Sequence, residues 1–124
     1  MEEVSKEVLH GVEIYDYTGD NYKTAMKFGS WRVAYLNYGD RFSDGNLWRI
    51  ERHNESDEVF VLLCGEAVLI IGKELRRIPM EPHKIYNIPK GVWHHIFTKE
   101  GASVLIVENE DTGTDNSEYI YMNE

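Results

Sequence analysis

The chain has 124 residues, 42% of them apolar, and a formal net charge of −9 from 22 acidic and 13 basic side chains. That length suits one compact domain with a real core, and the acidic balance, without a basic stripe interleaved with aromatics, excludes nucleic acid as an expected partner, since a phosphate backbone would be repelled. No apolar run is long enough to span a bilayer and residues 1–7 are acidic rather than signal-like, so no membrane partner and a cytoplasmic location are expected.

Residues 1–21 read as an N-terminal arm, with a trace of helical periodicity at most in the first ten residues. Short β-type runs bounded by turn residues then follow at 22–28, 31–38, 46–53, 58–64, 67–71, 74–79, 84–88, 94–98 and 103–108. The class is all-β. Asp44-Gly45 is a hairpin signal ahead of 46–53. The short polar connection 54–57 allows an antiparallel return that brings His53 and Glu58 together. Gly72-Lys73 reads as another hairpin turn, with glycine supplying a positive φ. The lone cysteine, Cys64, can close no internal disulfide, which fits a reducing compartment, and its apolar neighbours predict a buried thiol. The acidic stretch 111–116 reads as a mobile connection within a C-terminal tail, 110–124, whose residues 118–122 could dock as an extra strand. One domain over 1–124, with its core at about 22–109, accounts for the whole pattern.

Two fragments carry the chemistry. Side chains on a strand alternate, so 46–53 places Leu47, Arg49, Glu51 and His53 on one face and Trp48 and Ile50 on the other. Glu58 opens the next strand among apolar neighbours, where a carboxylate needs a partner. His94 opens a later strand after the turn Pro89-Lys90-Gly91. Neutral imidazole and carboxylate are ordinary ligands for zinc, iron, manganese or nickel, and ligands from separate strands can converge on one divalent ion. His95 points opposite to His94 by alternation and is expected packed or exposed on the outside. His83 is expected at the pocket rim or in an exposed loop, and His10 carries no pattern. Arg49 offers a fork for a carboxylate or phosphate on a small ligand, or else a buried ion pair with Glu51 or Glu58. Tyr86, with Trp31, Tyr35 and Trp93, could line a mouth suited to sugar rings, or be core.

The spacing His53, four residues, Glu58, six residues, Gly65, followed by Pro89-x-Gly91, two residues, His94, resembles the two motifs of the cupin superfamily over residues 22–109. The resemblance implies a double-stranded β-helix, or jelly-roll barrel, with His53, Glu58 and His94 as metal ligands and Gly65 and Gly91 as turn-makers. Three positions depart from the family pattern: Glu51 stands where the first motif has its first His, His83 where the second motif opens with Gly, and Thr98 where it closes with Asn. Glu51 could coordinate directly, making an oxygen-rich site suited to manganese or ferrous iron; it could stay free as a general base; or metal binding could be lost.

The runs Val59 to Leu63, Val68 to Ile71 and Val104 to Val107 are apolar on both faces, and such strands need cover on both sides. A homodimer is the simplest expectation, the terminal segments being the other source of cover. Two functions remain open: a metal-dependent enzyme on a small polar or sugar-like metabolite, isomerase- or lyase-like before dioxygenase, or a non-catalytic barrel that binds or senses a small molecule.

Overall fold

The structure, a computed structural model, describes residues 3–122; Met1, Glu2, Asn123 and Glu124, the outer ends of the predicted arm and tail, lie outside the described residues. Twelve strands follow one another: β1 (Ser5–Leu9), β2 (Val12–Asp16), β3 (Asn21–Phe28), β4 (Trp31–Asn37), β5 (Arg49–His53), β6 (Glu58–Cys64), β7 (Ala67–Ile71), β8 (Arg76–Pro79), β9 (Tyr86–Ile88), β10 (His94–Thr98), β11 (Ser103–Asn109) and β12 (Ser117–Tyr121). Short 3-10 turns at Asp40–Phe42 and Thr114–Asn116 interrupt the strand sequence. Among the described residues no helix is long and apolar enough to cross a membrane.

Ten of the strands form two five-stranded antiparallel sheets, in the orders β12-β5-β10-β7-β8 and β3-β4-β11-β6-β9. One apolar cluster draws Leu69 and Ile96 from the first sheet and Ala34, Leu36, Phe60, Leu62, Val104 and Ile106 from the second. The two sheets therefore close on one another as a jelly-roll barrel. Period-two alternation explains why these residues point inward: in β11, Val104, Ile106 and Glu108 are buried while Leu105 and Val107 between them are only half-buried. Burying each large aliphatic side chain contributes about 1.5–3 kcal/mol.

Several connections differ from the sequence expectation. Where a trace of helix is expected, residues 5–16 form a hairpin: β1 and β2 pair around His10 and Gly11, both at positive φ (53° and 84°), as a two-residue hairpin turn with primed geometry requires. Asp44-Gly45 closes no hairpin, because β4 and β5 lie in different sheets and the chain between them crosses from one to the other. Residues 54–57 likewise turn a corner between sheets, so His53 and Glu58 approach each other across the barrel and not along a paired ladder. Cys64 is exposed, since the β6–β11 register shifts at Ser103 and the end of β6 leaves the barrel. The 111–116 connection is packed: Thr112 is buried, Arg32 donates to the Glu110 and Thr112 carbonyls, and β12 then pairs residue for residue with β5.

The outer face of the second sheet carries two cross-strand rows, Val33–Val107–Val59 and Tyr35–Leu105–Val61. The β1–β2 hairpin stands as a separate two-stranded sheet with Val8 and Val12 each 60% exposed and Leu9 52% exposed.

Candidate metal centre

The inner row of the first sheet runs Tyr119–Glu51–His94 across β12, β5 and β10, with His53 two residues along from Glu51. From the facing sheet, Glu58 at the mouth of β6 completes the group. The ligand-capable atoms of Glu51, His53, Glu58 and His94 all lie within 4.8 Å of one another. Glu58 Oε1 is 3.0 Å from His53 Nε2 and 3.1 Å from His94 Nε2, while Glu51 Oε2 stands 3.8 Å from both. The set is thus a tight trio with one carboxylate at arm's length.

Outer partners orient both imidazoles. His94 Nδ1 donates to the Val92 carbonyl at 3.0 Å, and His53 Nδ1 lies 2.7 Å from Ser117 Oγ on β12. With Nδ1 occupied, each ring turns Nε2 to the centre, as metal-binding histidines do. The fit to an ion rests on His53: its Nε2 is buried and makes no hydrogen bond, although Glu58 Oε1 is 3.0 Å away. A buried ring nitrogen without a hydrogen bond beside a carboxylate is an open donor, and two imidazoles with one or two carboxylates are a donor set suited to a divalent ion.

Electrostatics agree. Burial opposes a charge on His94, but the hydrogen bond and attraction from Glu58 outweigh it and push the imidazole up to about 9; burial opposes a charge on His53 too, but the nearby Glu58 and Glu51 carboxylates raise it. Burial alone would raise Glu58, yet the two histidines hold its carboxyl well below the usual range. The carboxylates that favour a proton on these imidazoles would favour a cation at the same place.

The second motif's turn is tied to this centre. Gly91, at φ 85°, donates its N–H to the His53 carbonyl at 2.7 Å, and Asp57 accepts from the Lys90 N–H and the Asn87 side chain, which hold its carboxyl low. Both ligand-bearing segments are therefore braced against each other.

The cluster opens into a cavity of about 410 Å³ lined also by Tyr22, Arg32, Arg41, Phe42, Trp48, Arg49, Phe60, Glu108 and Tyr119. On its other wall Tyr22 donates to Glu108 at 2.5 Å, and Arg32 Nη2 donates to the same carboxylate oxygen at 3.0 Å. Burial, with Glu58 on the neighbouring strand, pushes the Glu108 carboxyl above the usual range despite the Tyr22 and Arg32 bonds.

Neither a family sequence model nor a curated protein matches the chain. Solved structures do match. Streptomyces Pac13, a nucleoside dehydratase also solved with uridine, superposes with a TM-score of 0.66 at 11% identity over 99% of this chain and 89% of that one. A cupin-2 domain protein of Shewanella frigidimarina gives 0.59 at 18% identity, over 76% of this chain and 85% of that one. HppE in its Fe(II) form gives 0.57 at 16% identity, over 86% of this chain and 55% of that one. The fold is that of a small, single-domain cupin.

Within that cupin frame the three unusual positions have visible consequences. Glu51 takes its place in the cluster. His83 adopts φ 72°, the left-handed conformation glycine favours, in an exposed loop away from the cavity lining. Thr98 Oγ1 donates to the Phe42 carbonyl at 2.8 Å, anchoring the 38–48 crossover.

Arg49 lines the cavity and donates to Glu51 Oε1 at 3.2 Å. Tyr86 does not line it: its register partner is Phe60, its ring packs on the apolar core, and its hydroxyl accepts the Glu81 N–H. Trp31, Tyr35 and Trp93 are also off the cavity; Trp93 lies under Arg52 and Lys73. Their place is taken by Tyr22, Phe42, Trp48 and Tyr119. Alternation misassigns Trp48 because β5 starts only at Arg49, so the period does not reach it. Tyr119, Ser117 and the Tyr22–Glu108–Arg32 network escaped sequence reading because nothing in the chain marks which strands neighbour β5 and β6. His95, expected on the outside, lines the cavity as well, buried against Phe42, Trp48 and Phe97 and outside the ligand cluster.

Proposed function

We propose that this cupin is a metal-dependent enzyme acting on a small polar metabolite, by isomerase- or lyase-like proton transfer. The observation that carries the reading is the cluster of buried His53, Glu58 and His94 with half-buried Glu51 at the wall of a ligand-sized cavity. His53, Glu58 and His94 would hold the ion, which supplies Lewis-acid polarisation of a carbonyl or hydroxyl oxygen when bound. Manganese, ferrous iron, nickel and zinc all suit the donor set. Glu51, the outlying carboxylate, is the base: half-exposed to the cavity and steadied by Arg49, it takes a proton from carbon and delivers it to the neighbouring carbon in an isomerisation or to the departing oxygen in an elimination. Arg49 also faces the substrate. Dehydration in Pac13 is chemistry of this class on the same fold, and it supports the reading only by that analogy.

The test is Glu51→Gln. Turnover of an accepted substrate should fall by about 100-fold or more with metal content and melting temperature kept. A change in ligand affinity with no turnover in either protein would favour the non-catalytic binding barrel instead. The tight two-histidine, one-carboxylate trio is also the donor set of ferrous oxygenases, so substrate-dependent oxygen uptake by the iron-loaded protein is the measurement for that second reading.

We propose further that the barrel pairs with a second copy of itself, through the exposed apolar hairpin β1–β2 and the apolar rows on the outer face of the second sheet. A lone two-stranded hairpin is marginal in water, and exposed apolar area of that extent favours association.

A further inference from the structure

One wall of the cavity is built of stacked cations and rings. Arg41 Cζ lies 4.5 Å from the Trp48 ring centroid, and Arg49 Cζ lies 4.5 Å from that same ring and 4.3 Å from Tyr119. The assembly is held rigid from behind: Trp48 Nε1 donates to the Arg41 carbonyl at 2.8 Å, the Asn46 side chain to the Asp40 carbonyl at 2.7 Å, and Thr98 to the Phe42 carbonyl at 2.8 Å. Stacking fixes the plane of a guanidinium and leaves its in-plane N–H donors free for a planar acceptor.

The three cavity arginines differ in how they are neutralised. Arg32 is spent on the buried Glu108, and Arg49 gives one nitrogen to Glu51. Among the described residues Arg41 pairs with no carboxylate, in a chain with 22 acidic and 13 basic residues. Three arginines and three glutamates line the cavity. The glutamates at most balance the arginines, since burial raises the Glu108 carboxyl, so a divalent ion on the cluster leaves the cavity with an excess of positive charge; this last step rests on the metal reading proposed above.

We propose that Arg41 and Arg49, stacked on Trp48, form an anion clamp, and that the cupin's substrate is a small acid whose carboxylate or phosphate docks there while its reacting end reaches Glu51 and the histidine cluster. Tyr119 positions Arg49 from the C-terminal strand. An uncharged sugar would leave the clamp unfilled.

Titration calorimetry with malonate and with inorganic phosphate, and with glucose as the uncharged control, tests the clamp on wild type, Arg41→Met, Arg41→Lys and His94→Ala, each checked by thermal melting and elemental analysis. Wild type should bind at least one anion and not glucose, and which anion binds separates a carboxylate from a phosphate ligand. Arg41→Met should weaken that anion about tenfold or more with metal content unchanged, and Arg41→Lys, which keeps the charge but not the fork, should recover only part. Anion binding that depends on Arg41 in a protein found to lack metal would keep the clamp and remove the metal reading. Binding lost in His94→Ala but within twofold of wild type in both Arg41 variants, or no anion binding at millimolar concentration, would overturn the clamp.

Discussion

Two imidazoles whose Nδ1 atoms are held by Ser117 and by the Val92 carbonyl have only Nε2 to offer, and both face Glu58. In the metal-free protein His94 keeps its proton up to about pH 9, with His53 raised beside it. An ion must displace those protons, so its affinity should climb with pH through the neutral range. Calorimetry at pH 7.5 in two buffers of different ionisation heat should record release of about one to two protons per ion; none released would mean the ion binds elsewhere. Removing the Ser117 hydroxyl leaves all four candidate ligands in place, and Ser117→Ala should still weaken metal binding about 10–100-fold. His95 has the opposite sign. Burial among Phe42, Trp48 and Phe97 drops it to about 4, so the unfolded chain takes up a proton below about pH 6.5 that the folded chain refuses. The stability from this group is full above pH 6.5 and lost towards pH 4, about 3 kcal/mol in all. Unfolding of His95→Phe should therefore be less acid-sensitive than wild type over that window.

At the scale of elements, turns show how much a residue's type reveals. Gly65 and Gly91 both have positive φ, 79° and 85°, but a Cβ on Gly65 would sit 2.5 Å from Ala102 Cα whereas one on Gly91 meets nothing within 4 Å. The left-handed conformation costs an L-residue about 1–2 kcal/mol. Gly91→Ala should lose about that much in urea unfolding, and Gly65→Ala clearly more, because backbone must shift as well; equal losses would mean that the close approach at Ala102 relaxes freely. Strand positions were legible from alternation and turn residues, as for β6, β7 and β10, whose bounds match the expected runs. The corners at 38–48 and 54–57 were not, because a polar turn looks alike whether it returns along one sheet or crosses to the other. Cys64 was misplaced for a related reason: apolar neighbours in the chain say nothing of a bulge set by the partner strand.

For the whole molecule, self-association is the prediction that the outer surface makes. Light scattering at high micromolar concentration should return twice the chain mass, and replacing Leu9 and Val12 with Lys should lower it; a monomer at that concentration would sink the pairing. His53, Glu58, Gly65, Gly91 and His94 were readable as one motif pair, since their spacing along the chain reflects the strand lengths of a single barrel. Composition and period-two patterning likewise sufficed for an all-β barrel, because they act on neighbouring residues and need no knowledge of partners. Tertiary structure alone decided that Ser117 and Tyr119 from the C-terminal strand reach His53 and Arg49, that Trp48 and not Tyr86 lines the cavity, and that Glu108 and Arg32 occupy its far wall. Those placements depend on which strands become neighbours in the closed sheets, and local sequence carries no trace of a contact between residues 64 or more positions apart.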